Sequence, residues 1–387
     1  MSNDSFTETV STGWFSRIGD SIKGIFLGLL MVVAAFPILF INEGCAVDVR
    51  KTLDQGSKEV IDVESSAVDP ANEGKLIHLT GQASSPKEIG DKDFRVSSQS
   101  LRLEREVSMF QWKESSEEKT KKKLGGGTET TTTYTYTKDW HKGRIDSSQF
   151  EKPDGHHNPS PKVSSSSWTA PDAKLGAFTL NASLIEKIDS FQPIHIHEDN
   201  TSRQVAASNK KLHIHDGIYY YGKSPDAPEV GDLRISFRHI PSPTEVSMIA
   251  QQKGTGFEPF IGKSGASIYM LQVGNHSAQA MIEQAKNSNS TKTWIIRGVG
   301  LLVMFFGFSL IFNPLSVVAD VIPIAGSIVG VGTGIVSFLL AVPLSLATIA
   351  VAWVYYRPII GIPLLIAAAV GIFFLIQKLY RYNRSRG

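Results

Sequence analysis

The stretch GIFLGLLMVVAAFPILFI, residues Gly24 to Ile41, is a run of 18 uncharged and mostly large apolar residues. At about 1.5 Å of rise per residue, a helix of that length just crosses the roughly 30 Å hydrocarbon core of a bilayer. A cleaved signal peptide would have a shorter apolar region followed by a small-x-small cleavage site. Here Asn42-Glu43-Gly44-Cys45 follows, which offers neither a cleavage site nor a lipidation box. Residues 24–41 therefore read as an uncleaved first membrane span.

Working outward, the other apolar region lies at the far end of the chain, where only Asp320 and Arg357 interrupt an uncharged stretch from Gly298 to Lys378. Residues 294–313 read as a second span, with Trp294 at the interface. Between Asp320 and Arg357 lie 36 uncharged residues. As one helix they would measure about 54 Å, far more than one bilayer core. Residues 314–327, which contain Pro314 and Pro323, therefore read as a turn, 328–356 as a third span and 358–377 as a fourth. Trp353, Tyr355 and Tyr356 fall at headgroup level at the end of the third span.

Orientation follows from the cations. The tail, 378–387, carries Lys378, Arg381, Arg384 and Arg386 with no acid, and residues 1–23 carry Arg17 and Lys23. Four spans put both ends on one side, and the positive-inside rule makes that side cytoplasmic. Trp14, Ile18 and Ile22 give residues 1–23 the spacing of a short amphipathic helix on the inner membrane face. Residues 42–293 then form one large extracytoplasmic or luminal domain with a charge of about −2, once the −1 of 1–23, the +1 of Arg297, Asp320 and Arg357 and the +4 of the tail are removed from the net +2.

The strand signals of that domain are Lys75 to Thr80, Leu101 to Trp112, Thr128 to Trp140, Leu233 to Phe237 and Ser267 to Val273. Ser115 to Gly127 reads as a charged hairpin tip, and Lys152 to Ser167, with Pro153, Pro159 and Pro161, as a loop. Ser183 to Phe191 has the pattern of a short helix. The fold class is α+β: four transmembrane helices with a large β-rich extracytoplasmic domain inserted between spans 1 and 2.

Composition excludes several functions. A single cysteine, Cys45, rules out an intramolecular disulfide framework and any cysteine-based zinc or iron–sulfur site within one chain. Balanced charge, 39 Lys+Arg against 37 Asp+Glu, argues against nucleic acid as a partner. No Gly-x-Ser-x-Gly elbow occurs. Gly262-Lys263-Ser264 resembles the end of a P-loop, but Phe257 stands where the first glycine belongs. No catalytic residues, cofactor or resident metal are expected, and the chain does not read as an enzyme.

Three features invite sharper readings. His195, His197, His213 and His215 form two His-x-His pairs, each of which on a strand points both imidazoles to one face, as a metal requires. No third-ligand motif accompanies them, and wet-face histidines on a hairpin explain them as well. Gly326, Gly330 and Gly334 recur every fourth position and make a face on which another helix packs closely, within the chain or in a second subunit. Asp320 and Arg357 are charges at membrane or interfacial depth, and Asp320 either belongs to a turn or lines a conduction pathway.

GWFSRIGDSIKGIFLGLL (13–30), INEG (41–44), NEGKLIHLTG (72–81), VSMFQW (107–112), YTYTKDW (134–140), GHHNPS (155–160), PEVGDLRISF (228–237), TKTWIIRGVG (291–300) and WVYYRP (353–358) resemble, in order, the transmembrane protein 43 family, also called LUMA. The resemblance implies four spans, a large luminal domain, self-association and a scaffolding role with other membrane proteins, and no established catalysis. It implies endoplasmic-reticulum and inner-nuclear membranes for a eukaryotic source; a bacterial source would mean an inner membrane with a periplasmic domain. The expected function is an integral membrane scaffold, a homo-oligomer embedded in the lipid bilayer. The rivals are an ion channel or transport component and an extracytoplasmic metal-dependent enzyme.

Overall fold

The computed structural model describes residues 4–197, 212–359, 361–363 and 366. Three helices dominate: α1 (Trp14–Glu59), α2 (Ala278–Ala319) and α3 (Pro323–Tyr356). All three are long and apolar enough to cross a membrane. The expected fourth span, 358–377, and the tail, 378–387, lie almost wholly outside the described residues.

The helices depart from the expected boundaries in instructive ways. α1 does not stop at Ile41 but continues to Glu59, so the first residues assigned to the β-rich domain are a helical stalk. Polar helix formers carry it on, and its inward face stays buried through Val47 and Leu53. α2 runs through Pro314 to Ala319, and α3 begins at Pro323, where the ring presets the first helical turn. The turn expected over 314–327 thus shrinks to Asp320, Val321 and Ile322. Helices α1 and α2 cross most closely at Gly28 and Gly307: a Cβ on Gly28 would lie 2.5 Å from the Gly307 carbonyl oxygen.

The strands that position the sites are β1 (Asp4–Thr12), β2 (Leu76–Ser84), β3 (Ser100–Lys122), β4 (Thr128–Lys142), β5 (Leu212–His215), β6 (Ile218–Tyr221), β7 (Leu233–Pro241) and β8 (Thr244–Lys253). One sheet runs β1-β4-β3-β7-β6-β5, and a second is centred on the antiparallel pair β2-β8. Leu103, Leu233, Ile235 and Phe237 fill the core of the first; Ile77, Leu79, Leu175 and Met248 fill that of the second. The stalk docks on the second sheet through Leu53, together with Met281 and Ile282 at the start of α2, packed against Leu76 and Ile249. Full burial of such a side chain contributes about 1.5–3 kcal/mol. The domain and the spans are thus joined by an apolar contact as well as by the chain. The helical signal over 183–191 yields only a short helix, Ala182–Ile185.

The residues read as an amphipathic N-terminal helix divide in two. Asp4–Thr12 is a strand, and it pairs antiparallel with β4 from Thr128 to Tyr136. The β-branched residues Thr7, Thr9, Val10 and Thr12 favour an extended chain over a helix. The hairpin β3-β4 is longer than its apolar pattern suggested, because Lys113 to Lys122 continues in register opposite Thr128 to Thr137. With β1 it makes a polar, three-stranded arm. From Ser108 to Lys122 the arm extends about 46 Å at roughly 3.3 Å per residue.

Candidate functional site

The motif residues converge where the stalk meets the apolar part of the helices. Glu43 of α1 is fully buried. Arg297 of α2 donates to it twice, from Nε to Oε1 at 2.6 Å and from Nη2 to Oε2 at 2.8 Å. Trp353 of α3 donates Nε1–H to Oε2 at 2.8 Å. The carboxylate therefore has three charge-compatible donors, the arrangement a buried ion needs to offset its desolvation. The guanidinium lies 4.5 Å from the ring centre of Trp294 and 5.6 Å from that of Trp353. Asn42 Nδ2 donates to the Thr293 carbonyl at 3.3 Å. Gly44 is there for space, since a Cβ would lie 2.5 Å from Tyr356 Cζ. Each residue of Asn42-Glu43-Gly44 therefore contacts a different partner, and one carboxylate ties all three helices together.

A second cluster lies at the opposite end of the helices. Asp320, 1% exposed, receives Arg17 Nη2 of α1 at 2.5 Å and Lys122 Nζ of the arm at 2.6 Å. Trp14 Nε1 donates to the Val317 carbonyl at 2.8 Å, and Gly125 N to that of Val321 at 3.1 Å. Gly126, at φ +81°, lies under the Trp14 ring, where a Cβ would be 2.2 Å from Cδ1. The hairpin tip is therefore docked on the helix bundle. Asp320 caps the C-terminus of α2, at the turn into α3, with both oxygens engaged by cations.

At the base of the arm, Asn158 is fully buried. It accepts from Trp112 N at 2.8 Å and donates to the carbonyls of Trp112 and Ile145 at 2.9 and 3.2 Å. His156 stacks on Tyr136 with ring centres 3.9 Å apart, and its Nε2 lies 3.0 Å from Asp4 of β1. Tyr136 donates to Glu114 at 2.8 Å. Burial, with that bond to a carboxylate, pushes its phenol up to about 12. The pieces VSMFQW, YTYTKDW and GHHNPS thus meet in one aromatic and amide knot.

The remaining sequence candidates are placed as follows. Gly326 accommodates Asp320, whose Oδ1 would be 1.7 Å from a Cβ; Gly330 would place a Cβ 3.1 Å from Ser316 Oγ; Gly334 has nothing within 4 Å. The stripe therefore has one end engaged within the chain and one end open. Tyr355 and Tyr356 pack on Phe40 of α1, with centres 5.7 and 5.2 Å apart. Arg357 caps the end of α3. His213 and His215 lie on exposed positions of β5, which turns into β6 through Asp216-Gly217; His195 lies against that turn and His197 is two residues on. Among the described residues, no group of three His, Cys, Asp or Glu side chains is placed to hold a metal. Ser264 of the P-loop-like turn hydrogen-bonds Thr52 at 2.7 Å and docks the stalk instead. The sequence reading missed Glu43, Arg17, Lys122 and Asn158. The quoted motifs INEG, GWFSRIGDSIKGIFLGLL and GHHNPS contain Glu43, Arg17 and Asn158, but their pairings need the fold; Lys122 lies in no motif.

The model of the family described as Transmembrane protein 43 matches residues 109–358. The chain belongs to this family. Transmembrane protein 43 of the rat is 32% identical over 91% of this chain and 89% of its own length. The human protein of that name is 32% identical over 90% of this chain and 88% of its own. A Drosophila homologue is 28% identical over 98% and 99%. No solved structure gives a significant match. The Transmembrane protein 43 match takes in Arg297, Trp353, Asn158 and Asp320, while Glu43 and Arg17 lie before it.

Proposed function

We propose that this multi-pass membrane protein is a self-associating scaffold that organises other membrane proteins or the membrane itself, with its β-rich domain on the extracytoplasmic or luminal side. The observation that carries the reading is the arm. Its base belongs to the domain, and its tip is held by Arg17 and Asp320 at the far end of the helices. From Arg17 to Glu43, α1 covers about 39 Å, the depth of a bilayer with part of its headgroups. The arm passes the same depth with Glu117, Glu118, Lys119 and Lys121 exposed, and β1 forms its outer edge.

Lipid cannot satisfy exposed charges or the unpaired backbone groups of a strand edge. An arm at that depth needs a protein- or water-lined enclosure, and further copies of the chain supply one. The test is multi-angle light scattering of the full chain in nanodiscs, combined with cysteine crosslinking from Thr9→Cys on β1 in a Cys45→Ser background. Oligomers crosslinked through β1 are expected. A homogeneous, uncrosslinked monomer overturns the proposal.

A further inference from the structure

Beside the Glu43 cluster lies an open cavity of about 430 Å³, and its wall is cationic: Arg50, Lys286, Arg297 and Arg357 all line it, with Ser290 and Trp294. Two carboxylates offset part of this charge. Glu43 holds Arg297, and Asp54 holds Lys286 at 2.6 Å and Arg50 at 3.4 Å. Four cations against two acids leave an excess of two positive charges around the cavity. Neither acid is part of its wall. Among the described residues, no carboxylate forms an ion pair with Arg357.

The position of the cavity decides what it binds. Its lining begins at Ala46, just past the apolar run of α1. It takes in Trp294, where the apolar part of α2 begins, and Trp353 and Arg357, where α3 ends. That is the headgroup level of the leaflet nearest the domain. Trp294 is 66% exposed and Ile295 60%, so the rim continues into apolar helix surface. Basic pockets between membrane helices at this depth suit phosphate headgroups, and guanidinium groups match a phosphate's paired oxygens.

We propose that this cavity binds the phosphate of an anionic phospholipid, with Arg50 and Arg357 as the principal ligands and Trp294 against the upper acyl region. The inference goes beyond the scaffold reading and does not depend on it. The lipid would fasten the stalk to the leaflet beside the Glu43 cluster.

Native mass spectrometry of the delipidated full chain in mild detergent tests it, with phosphatidylglycerol, phosphatidylcholine and inorganic phosphate as probes. Phosphatidylglycerol is expected to occupy the chain at least threefold more than phosphatidylcholine and to remain bound in 10 mM inorganic phosphate. R50Q/R357Q should lower that occupancy at least fivefold. R50K/R357K, which keeps the charge but not the paired guanidinium donors, should fall between R50Q/R357Q and the unmodified chain, and K119Q on the distant arm should keep all of it. Equal occupancy by the two lipids in the unmodified chain overturns the proposal without recourse to any variant. Displacement by inorganic phosphate overturns the lipid as the source of the anion. Unchanged binding in R50Q/R357Q overturns the site.

Discussion

Glu43 and Asp320 are both buried carboxylates held by an arginine from another helix, one at each end of the spans, yet their surroundings differ. Glu43 is itself fully buried against Arg297 and Trp353, both on helices, while Arg297 meets water only from the cavity beside it, its side chain being 13% exposed. Asp320 is shared between α1 and a β-hairpin, and its second cation, Lys122, is 32% exposed. One cluster is a closed joint within the bundle. The other clips a separate element to it. The value of a buried ion pair lies mostly in what is left behind when one partner is removed, so the two clusters should respond unequally to the same change.

Glu43→Ala should produce the larger effect, because it strands the Arg297 guanidinium between two tryptophans. A loss of about 3–5 kcal/mol is expected, with a lowered thermal midpoint of the detergent-solubilised chain. The double variant Glu43→Ala/Arg297→Met should recover much of it. A midpoint unmoved by the single change would refute the closed-joint description. Asp320→Ala should cost less, on the order of 1–3 kcal/mol, since Lys122 can turn to water and Arg17 keeps its bond to the Gly126 carbonyl. Its distinctive signature should be faster amide exchange across 113–137, with α1 and α2 little affected near Glu43. Equal acceleration at both clusters would mean that they are one cooperative unit.

Lys122→Ala isolates the partly exposed contact. No more than about 1 kcal/mol is expected, and it should weaken as salt is raised. A larger, salt-independent loss would show that the arm is held as tightly as the bundle. The smallest effect concerns His239, which lies outside both clusters on β7 and bonds Ser98 and Ser100 at 3.0 and 2.7 Å. Burial pushes its imidazole below the ordinary 6.5. The folded chain therefore binds this proton less readily than the unfolded one, so stability falls as pH drops through the unfolded value near 6.5. His239→Gln should flatten denaturant midpoints between pH 7.5 and 5.5. Identical pH profiles in the two proteins would exclude this contribution.

The joint at Glu43 was half legible in the sequence. Asn42-Glu43-Gly44 stood at the end of an unmistakable apolar run, and Arg297, Trp353 and Tyr356 stood at the ends of others. What the pattern lacked was their pairing, because Glu43 and Arg297 are separated by most of the chain and no local periodicity encodes a contact of that range. The clip at Asp320 was less visible. Lys122 belongs to a charged segment with the composition of a loose hairpin tip, and only continuous register with the threonine-rich strand β4 makes it an extended arm. Spacing drew attention to Gly326, Gly330 and Gly334, of which the first two face Asp320 and Ser316 within the chain; the backbone-to-backbone approach of α1 and α2 uses Gly28 and Gly307, one glycine on each of two helices, which no single-helix spacing reveals. The helices themselves followed their apolar runs, but their ends did not, since the stalk beyond Ile41 is polar and is fixed by packing on the β-sheet.

The pairing of β1 with β4 bears on how the molecule is made. Asp4 to Thr12 leaves the ribosome well before its partner strand, which comes more than a hundred residues later, after the whole of α1 and the outgoing strand β3. Until then the segment has no sheet to join. Closing the N-terminal strand onto the arm and onto His156 is therefore a late assembly step, and a bulky fusion ahead of Asp4 would obstruct that step before it disturbed anything in the finished spans.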